Sequence, residues 1–281
     1  MGNDTDNALL SFVEKMPAFP KSVQRIIQLT SDSNTSAKDI VQVIECDPVM
    51  TVKILQVINS PYYGFSKKIS SIPRAVVHIG VNTIKNMALS VAAIGMLKTY
   101  NEAGFNTQEF LLHSLTTAII NKKLAERQGL TPSESGDFFV AGLLHDFGKL
   151  VFAECLPELF KEALTLSRER QLPLFETERE CIGLNHAHLG KLLVEKWEFS
   201  QNLADAIAYH HEPPGNNMLQ NNLKAANEIS KALQLGDAGN PVIEPFSDAL
   251  AKRLGGSLEN LILSLGDLTP IKMEALALIR L

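Results

Sequence analysis

GLLHDFGKLVF, residues 142–152, sets a histidine beside an aspartate inside an otherwise apolar run that closes on Gly148 and Lys149. An unpaired charge in such a run costs several kcal/mol or forces neutralisation, so the aspartate needs a cation, a hydrogen-bond network or solvent. Three chemistries meet that need. The pair can be a hydrogen-bonded joint between helices, a general acid/base pair, or two ligands of a metal ion.

Working outward, apolar residues recur at helical spacing and nowhere alternate as strands do: Val23, Ile26 and Ile27, then Ile40, Val43 and Ile44, then Val49, Val52, Leu55 and Ile58. The fold class that follows is all-α. Ser36 with Asp39 reads as a capped helix start, and Asp47-Pro48 supplies an N-cap and a proline at the first helical position. NSPYYGFSKKISSIP, residues 59–73, interrupts the periodicity as a loop. Ala75 to Ile94 then form a broad stripe, a helix or helix pair covered on several sides.

KTYNEAGFNTQ, residues 98–108, is polar, and a lobe boundary is placed near residue 100. The second lobe is read as helices over about 107–128, 136–153, 157–171, 186–197, 200–211 and 219–235, with a change of direction at Pro173. The organisation expected is an N-terminal helical lobe over 1–100, a helical bundle over 101–240, and a C-terminal helical extension over 241–281 packed on that bundle.

Composition excludes several functions. Of 281 residues, 45% are hydrophobic and 20% charged, which argues against disorder; the net charge is −5 with no basic run, which argues against nucleic acid. No apolar segment reaches membrane-spanning length and the N-terminus lacks a signal-peptide pattern, so a cytoplasmic protein without a membrane partner is expected. Cys46, Cys155 and Cys181 are far apart and form no CxxC pair, so they are read as buried or incidental thiols.

Six of the 7 histidines lie within residues 113–211. His113 stands in LLHSLTTA, His145 beside Asp146, His186 and His188 in NHAHLGKLL, and His210 with His211 in AIAYHHEPP. Imidazole suits iron, zinc or nickel, a carboxylate oxygen can bridge two cations, and a bundle can aim such groups inward. Gly142, Gly148 and Gly190 allow close backbone approach around His145 and His186. His188 lies about 200° around the helix from His186 and is read as solvent-facing. His78 is read as an ordinary helix residue.

LHSLTTA, LLHDFGKL, NHAHLG and AYHHEP, in this order, resemble the HD superfamily of metal-dependent phosphohydrolases. MPAFPKSVQRIIQL, IECDPVMTVKILQVINSPYYG and ISSIPRAVVHIGVNTIKNMAL are similar to the N-terminal part of the HDOD family of bacterial signalling proteins. The resemblance covers about residues 15–235. It implies that the second lobe is an HD-type bundle and that His113, His145, Asp146, His186, His210 and His211 are metal ligands, for Fe, Mn, Zn or Ni. It also implies that Lys149 faces substrate phosphate and, with Asp146, would be catalytic in an active enzyme.

Two departures stand against activity. KAANEISKAL puts Asn227 where the enzymes carry a final aspartate, and HHEPPGNN lacks the GYP extension of the dinucleotide phosphodiesterases. With Asn227 neutral, Asp146 is the one carboxylate in view to oppose two divalent ions, so single or partial occupancy is expected. The first reading is a signalling module with a degenerate metal site, whose first lobe and its junction with the second bind a protein partner. The second is a working phosphohydrolase acting on a phosphoester or nucleotide, and the third a hydrogen-bonded helix junction.

Overall fold

The computed structural model describes residues 11, 13–14, 19–30, 36–96, 102–131, 134–240 and 242–279; these contain helices and no strand. They fall into two compact units, one drawn from Ala18–Met96 with Thr269–Leu281, the other from Met1–Pro17 with Leu97–Leu268. The boundary expected near residue 100 lies in 97–101, outside the described residues.

In the first unit, α1 (Lys21–Thr30), α2 (Ala37–Glu45), α3 (Pro48–Ile58), α4 (Ile72–Ile79) and α5 (Val81–Gly95) follow one another. Ser36 and Asp39 form a capping box, and Asp47 Oδ1 accepts the Met50 N–H at 3.0 Å while its Oδ2 accepts the Ser22 hydroxyl at 2.7 Å. Asn59 pins the 59–71 loop: its amide donates to the carbonyls of Leu55 (2.7 Å) and Ile69 (2.8 Å), and its Oδ1 accepts the Ile69 N–H at 2.8 Å. The apolar stripe 75–94 is two helices because Gly80, at φ +80°, breaks it in a backbone region that favours glycine. Every residue from Ile84 to Ala93 is buried.

The second unit holds α6 (Thr107–Arg127), α7 (Gly136–Leu144), α8 (Gly148–Cys155), α9 (Pro157–Arg170), α10 (Leu174–Ile182), α11 (His186–Lys196), α12 (Gln201–Ala208), α13 (Met218–Ala232), α14 (Asp248–Leu254) and α15 (Leu258–Ser264). α6 lies against α7 and α13, α11 against α8 and α12, and α12 and α7 each also meet α13.

The tail departs from the expected single extension. α14 and α15 contact α13, but α16 (Thr269–Ile279) belongs to the first unit and contacts α5, because its Ile271, Ala275 and Leu278 are buried there and Tyr62 donates to Glu274 at 3.2 Å. No helix among the described residues is long and apolar enough to cross a membrane.

Candidate metal centre

The helix expected over 136–153 tightens at His145–Phe147. Phe147 N–H bonds the Leu144 carbonyl at 3.1 Å, Lys149 N–H that of Asp146 at 2.9 Å and Leu150 N–H that of Phe147 at 3.1 Å, all three residues back rather than four. This turn sets His145 and Asp146 side by side, 0% and 2% exposed. Glycines permit it: a Cβ on Gly142 would lie 2.5 Å from Ala118 Cα, and one on Gly148 would collide with the His186 carbonyl oxygen. A Cβ on Gly190 would press the Ile207 side chain at 3.0 Å, with the His145 carbonyl at 3.4 Å.

α6 carries His113 in mid-helix, α11 opens on His186, and α12 ends at Ala208, so His210 and His211 lie just past its end rather than within it. All six expected ligands come together and are buried; His188 and His78 are exposed, His78 lying against the Phe65 ring at 5.1 Å. Two groups of donors result, each with its atoms within 4.8 Å of one another: His186, His210 and His211, and His113, His145 and Asp146. Asp146 sits between them, its Oδ1 3.0 Å from His186 Nε2 and 4.0 Å from His210 Nε2, its Oδ2 3.3 Å from His145 Nε2 and 3.7 Å from His113 Nε2.

Four of the imidazoles face the centre through Nε2 because Nδ1 meets an acceptor behind. His145 Nδ1 lies 2.9 Å from the Gly142 carbonyl, His210 Nδ1 2.7 Å from that of Ile207, His186 Nδ1 2.6 Å from Glu178 and His211 Nδ1 2.6 Å from Glu244. Glu178 also accepts the backbone N–H of His186 at 2.8 Å, one of the donors that a helix start leaves open. A proton on Nδ1 leaves a lone pair on Nε2, the arrangement by which ligand histidines are oriented toward metals.

Burial, and then the neighbouring His145, hold His113 down to about 3. Burial first and His211 second hold His210 far below the usual imidazole range, and burial with His186 does the same to His211. His186 goes the other way: burial lowers it, but Glu178 and Asp146 together raise it more. Asp146 is raised by burial yet held well below the usual carboxylate range by His145, Lys149 and His186.

The residues fit a cation. Both ring nitrogens of His113, Nε2 of His145 and of His210, and Oδ1 of Asp146 are buried without a hydrogen-bond partner, each a group that ordinarily costs about 1–3 kcal/mol to leave so. His211 Nε2 lies 3.0 Å from His186 Nε2, a pair of lone pairs that repel unless a proton or a metal ion stands between them.

The sequence reading missed an outer layer. Glu178 comes from α10, Glu228 and Lys224 from α13, and Glu244 from the segment after it, all buried. Lys224 Nζ donates to Glu244 at 2.9 Å, Lys231 Nζ to Glu228 at 2.6 Å, and Lys149 Nζ to Asp146 Oδ2 at 2.7 Å and the Ala238 carbonyl at 3.1 Å. Asp146 is therefore not alone: four carboxylates, Asp146, Glu178, Glu228 and Glu244, face three ammoniums, Lys149, Lys224 and Lys231, and leave one negative charge over. Asn227 is buried on α13, its amide 3.4 Å from Glu228. A cavity of about 340 Å³ opens on His113 and is lined by Glu109, Lys231, Gln234, Asp237 and Asn240.

The family model of the HDOD domain matches residues 16–213. An uncharacterized protein of Treponema pallidum (strain Nichols) is 24% identical over 202 residues, 72% of this chain; the chain spans 39% of that relative's length. Among solved structures, an HDOD domain protein of unknown function from Geobacter sulfurreducens superposes with a TM-score of 0.78 at 24% identity, over 96% of this chain and 98% of that one. A protein of Marinobacter aquaeolei VT8, provisionally named for signal transduction, gives 0.80 at 23% identity over 98% of this chain and 65% of its own. One of Shewanella amazonensis SB2B, provisionally named a phosphohydrolase, gives 0.74 at 23% over 97% and 98%.

Proposed function

The chain belongs to the HDOD family, and from that premise we propose that it is a cytoplasmic regulatory module, holding one divalent transition-metal ion and acting through a protein partner rather than by turnover. His186, His210 and His211 through Nε2, with Asp146 through Oδ1, would hold the ion; three imidazoles and one carboxylate suit zinc, iron, nickel or manganese. A bound ion would supply a fixed positive charge tying α11, the end of α12 and the α7–α8 turn together.

One observation carries this reading: the Lys149 ammonium lies on Asp146 Oδ2. A carboxylate that bridges two cations needs both oxygens, and here one is taken by a buried lysine anchored on the Ala238 carbonyl. The second donor group, His113 and His145 around that same oxygen, thus already has a cation beside it.

The phosphohydrolase reading has one observation of its own, the cavity over His113, which is large enough for a phosphoester or nucleotide fragment. Elemental analysis of the purified protein, with turnover assays on an aryl phosphate and on cyclic dinucleotides, separates the two. The regulatory reading expects about one ion per chain and no turnover. Two ions per chain, with turnover abolished by Asp146→Ala, establishes the enzyme instead.

A further inference from the structure

Building on the one-ion reading, we propose that Glu244 is the positioning residue that makes His211 a metal ligand. The centre is then completed by the segment Val242–Glu244, beyond residues 16–213 matched by the family.

Glu244 Oε1 lies 2.6 Å from His211 Nδ1. A carboxylate can only accept, and a neutral imidazole carries one proton, so that proton sits on Nδ1 and Nε2 keeps the lone pair that faces the centre. The carboxylate is itself held from behind. Lys224 Nζ donates to Glu244 Oε2 at 2.9 Å and to the His211 carbonyl at 2.8 Å, so one ammonium anchors both partners of the pair. The segment is strapped across α13 by two further bonds, Lys231 Nζ to the Val242 carbonyl at 2.8 Å and the Glu244 N–H to Glu228 Oε2 at 2.7 Å. Three of these hydrogen bonds hold the segment and its carboxylate, whose one contact toward the ligand cluster is His211.

Glu244→Gln tests this with the shape preserved. Lys224 needs an acceptor, so the new amide turns its oxygen to Lys224 and its NH2 to His211 Nδ1, which must then accept. The His211 proton moves to Nε2, the atom that would bind the ion. Full-length, metal-free protein labelled with 15N-histidine reads the tautomer directly, and titration with Co2+ reads affinity. The expected result is Nδ1–H at His211 in the wild type, Nε2–H in Glu244→Gln, and a loss of Co2+ affinity of about 10–100-fold, with far-ultraviolet circular dichroism unchanged.

A wild-type His211 protonated on Nε2 overturns the proposal, as does a variant that retains wild-type Co2+ affinity. Should the variant not fold, the wild-type tautomer still decides. A wild type that takes up no Co2+ sinks the one-ion reading and the ligand role of His211 with it, whereas a wild type that binds Co2+ beside a variant of equal affinity overturns the Glu244 assignment alone.

Discussion

Replacing Lys149 by methionine keeps most of the buried stem and removes the ammonium from Asp146. Both side chains are 2% exposed, and the bond between them is 2.7 Å long, so Asp146 loses its shortest charge partner with no solvent in exchange. Breaking one side of a buried pair costs about 3–5 kcal/mol. The lost donor to the Ala238 carbonyl adds about 1 kcal/mol. For a unit of this size, each kcal/mol lowers the midpoint by about 2–4 °C, so the metal-free variant should melt about 8–24 °C below the metal-free wild type. The same change frees Asp146 Oδ2 for a cation and raises the uncompensated charge of the network from one negative to two. Lys149→Met should therefore bind a second ion, at His113, His145 and Oδ2, and at 100-fold excess over its Kd that ion should return about 2.7 kcal/mol. The assay is thermal unfolding with and without Zn2+, paired with elemental analysis. A variant that melts like the wild type when metal-free and still takes one ion would falsify the view that Lys149 stands in for a second metal.

Three further outcomes are expected. Gly148→Ala should lower stability and separate His145 from His186, because the added methyl meets the His186 carbonyl, which belongs to backbone and cannot rotate away; metal uptake falls with the melting midpoint. Asp47→Ala removes the cap of α3 and the acceptor of the Ser22 hydroxyl, and should cost about 0.5–2 kcal/mol in denaturant unfolding with no change in metal content. Asn227→Asp replaces an amide donor to Glu228 by a second buried carboxylate, so the metal-free protein should lose about 1–3 kcal/mol and gain more from added Zn2+ than the wild type does, which calorimetry with and without the ion measures.

How much of this could be read from the residues depends on which physics placed them. Helical periodicity exposed nearly every helix, since an amphipathic face repeats along the chain whatever it packs on. Ser36 with Asp39 and Asp47 with Pro48 were legible because caps act within three residues. The boundaries around the histidines were less so. His145 and Phe147 keep helical dihedrals while the hydrogen-bond step changes, and apolar periodicity does not register that. The tail was misread because α16 is apolar on a face whose partner, α5, is close in space and far in sequence.

The six clustered side chains were legible for a different reason from their supports. A histidine in an apolar helix stands out against its neighbours, whereas Glu178 lies in LFETERECI among other acids, and Glu244 in a segment with no helical period. An acid in such surroundings reads as solvated, and only packing shows that these two are 0% and 7% exposed. Yet their positions decide what the histidines can do. Without an acceptor behind Nδ1, a buried imidazole is free to put its proton toward the centre, and a cluster of four such rings becomes a hydrogen-bonded junction instead of a set of lone pairs. Of the three chemistries that the His145–Asp146 pair first left open, the tautomers therefore choose between the joint and the metal site, and the residues that set them lie 32 and 98 positions after Asp146.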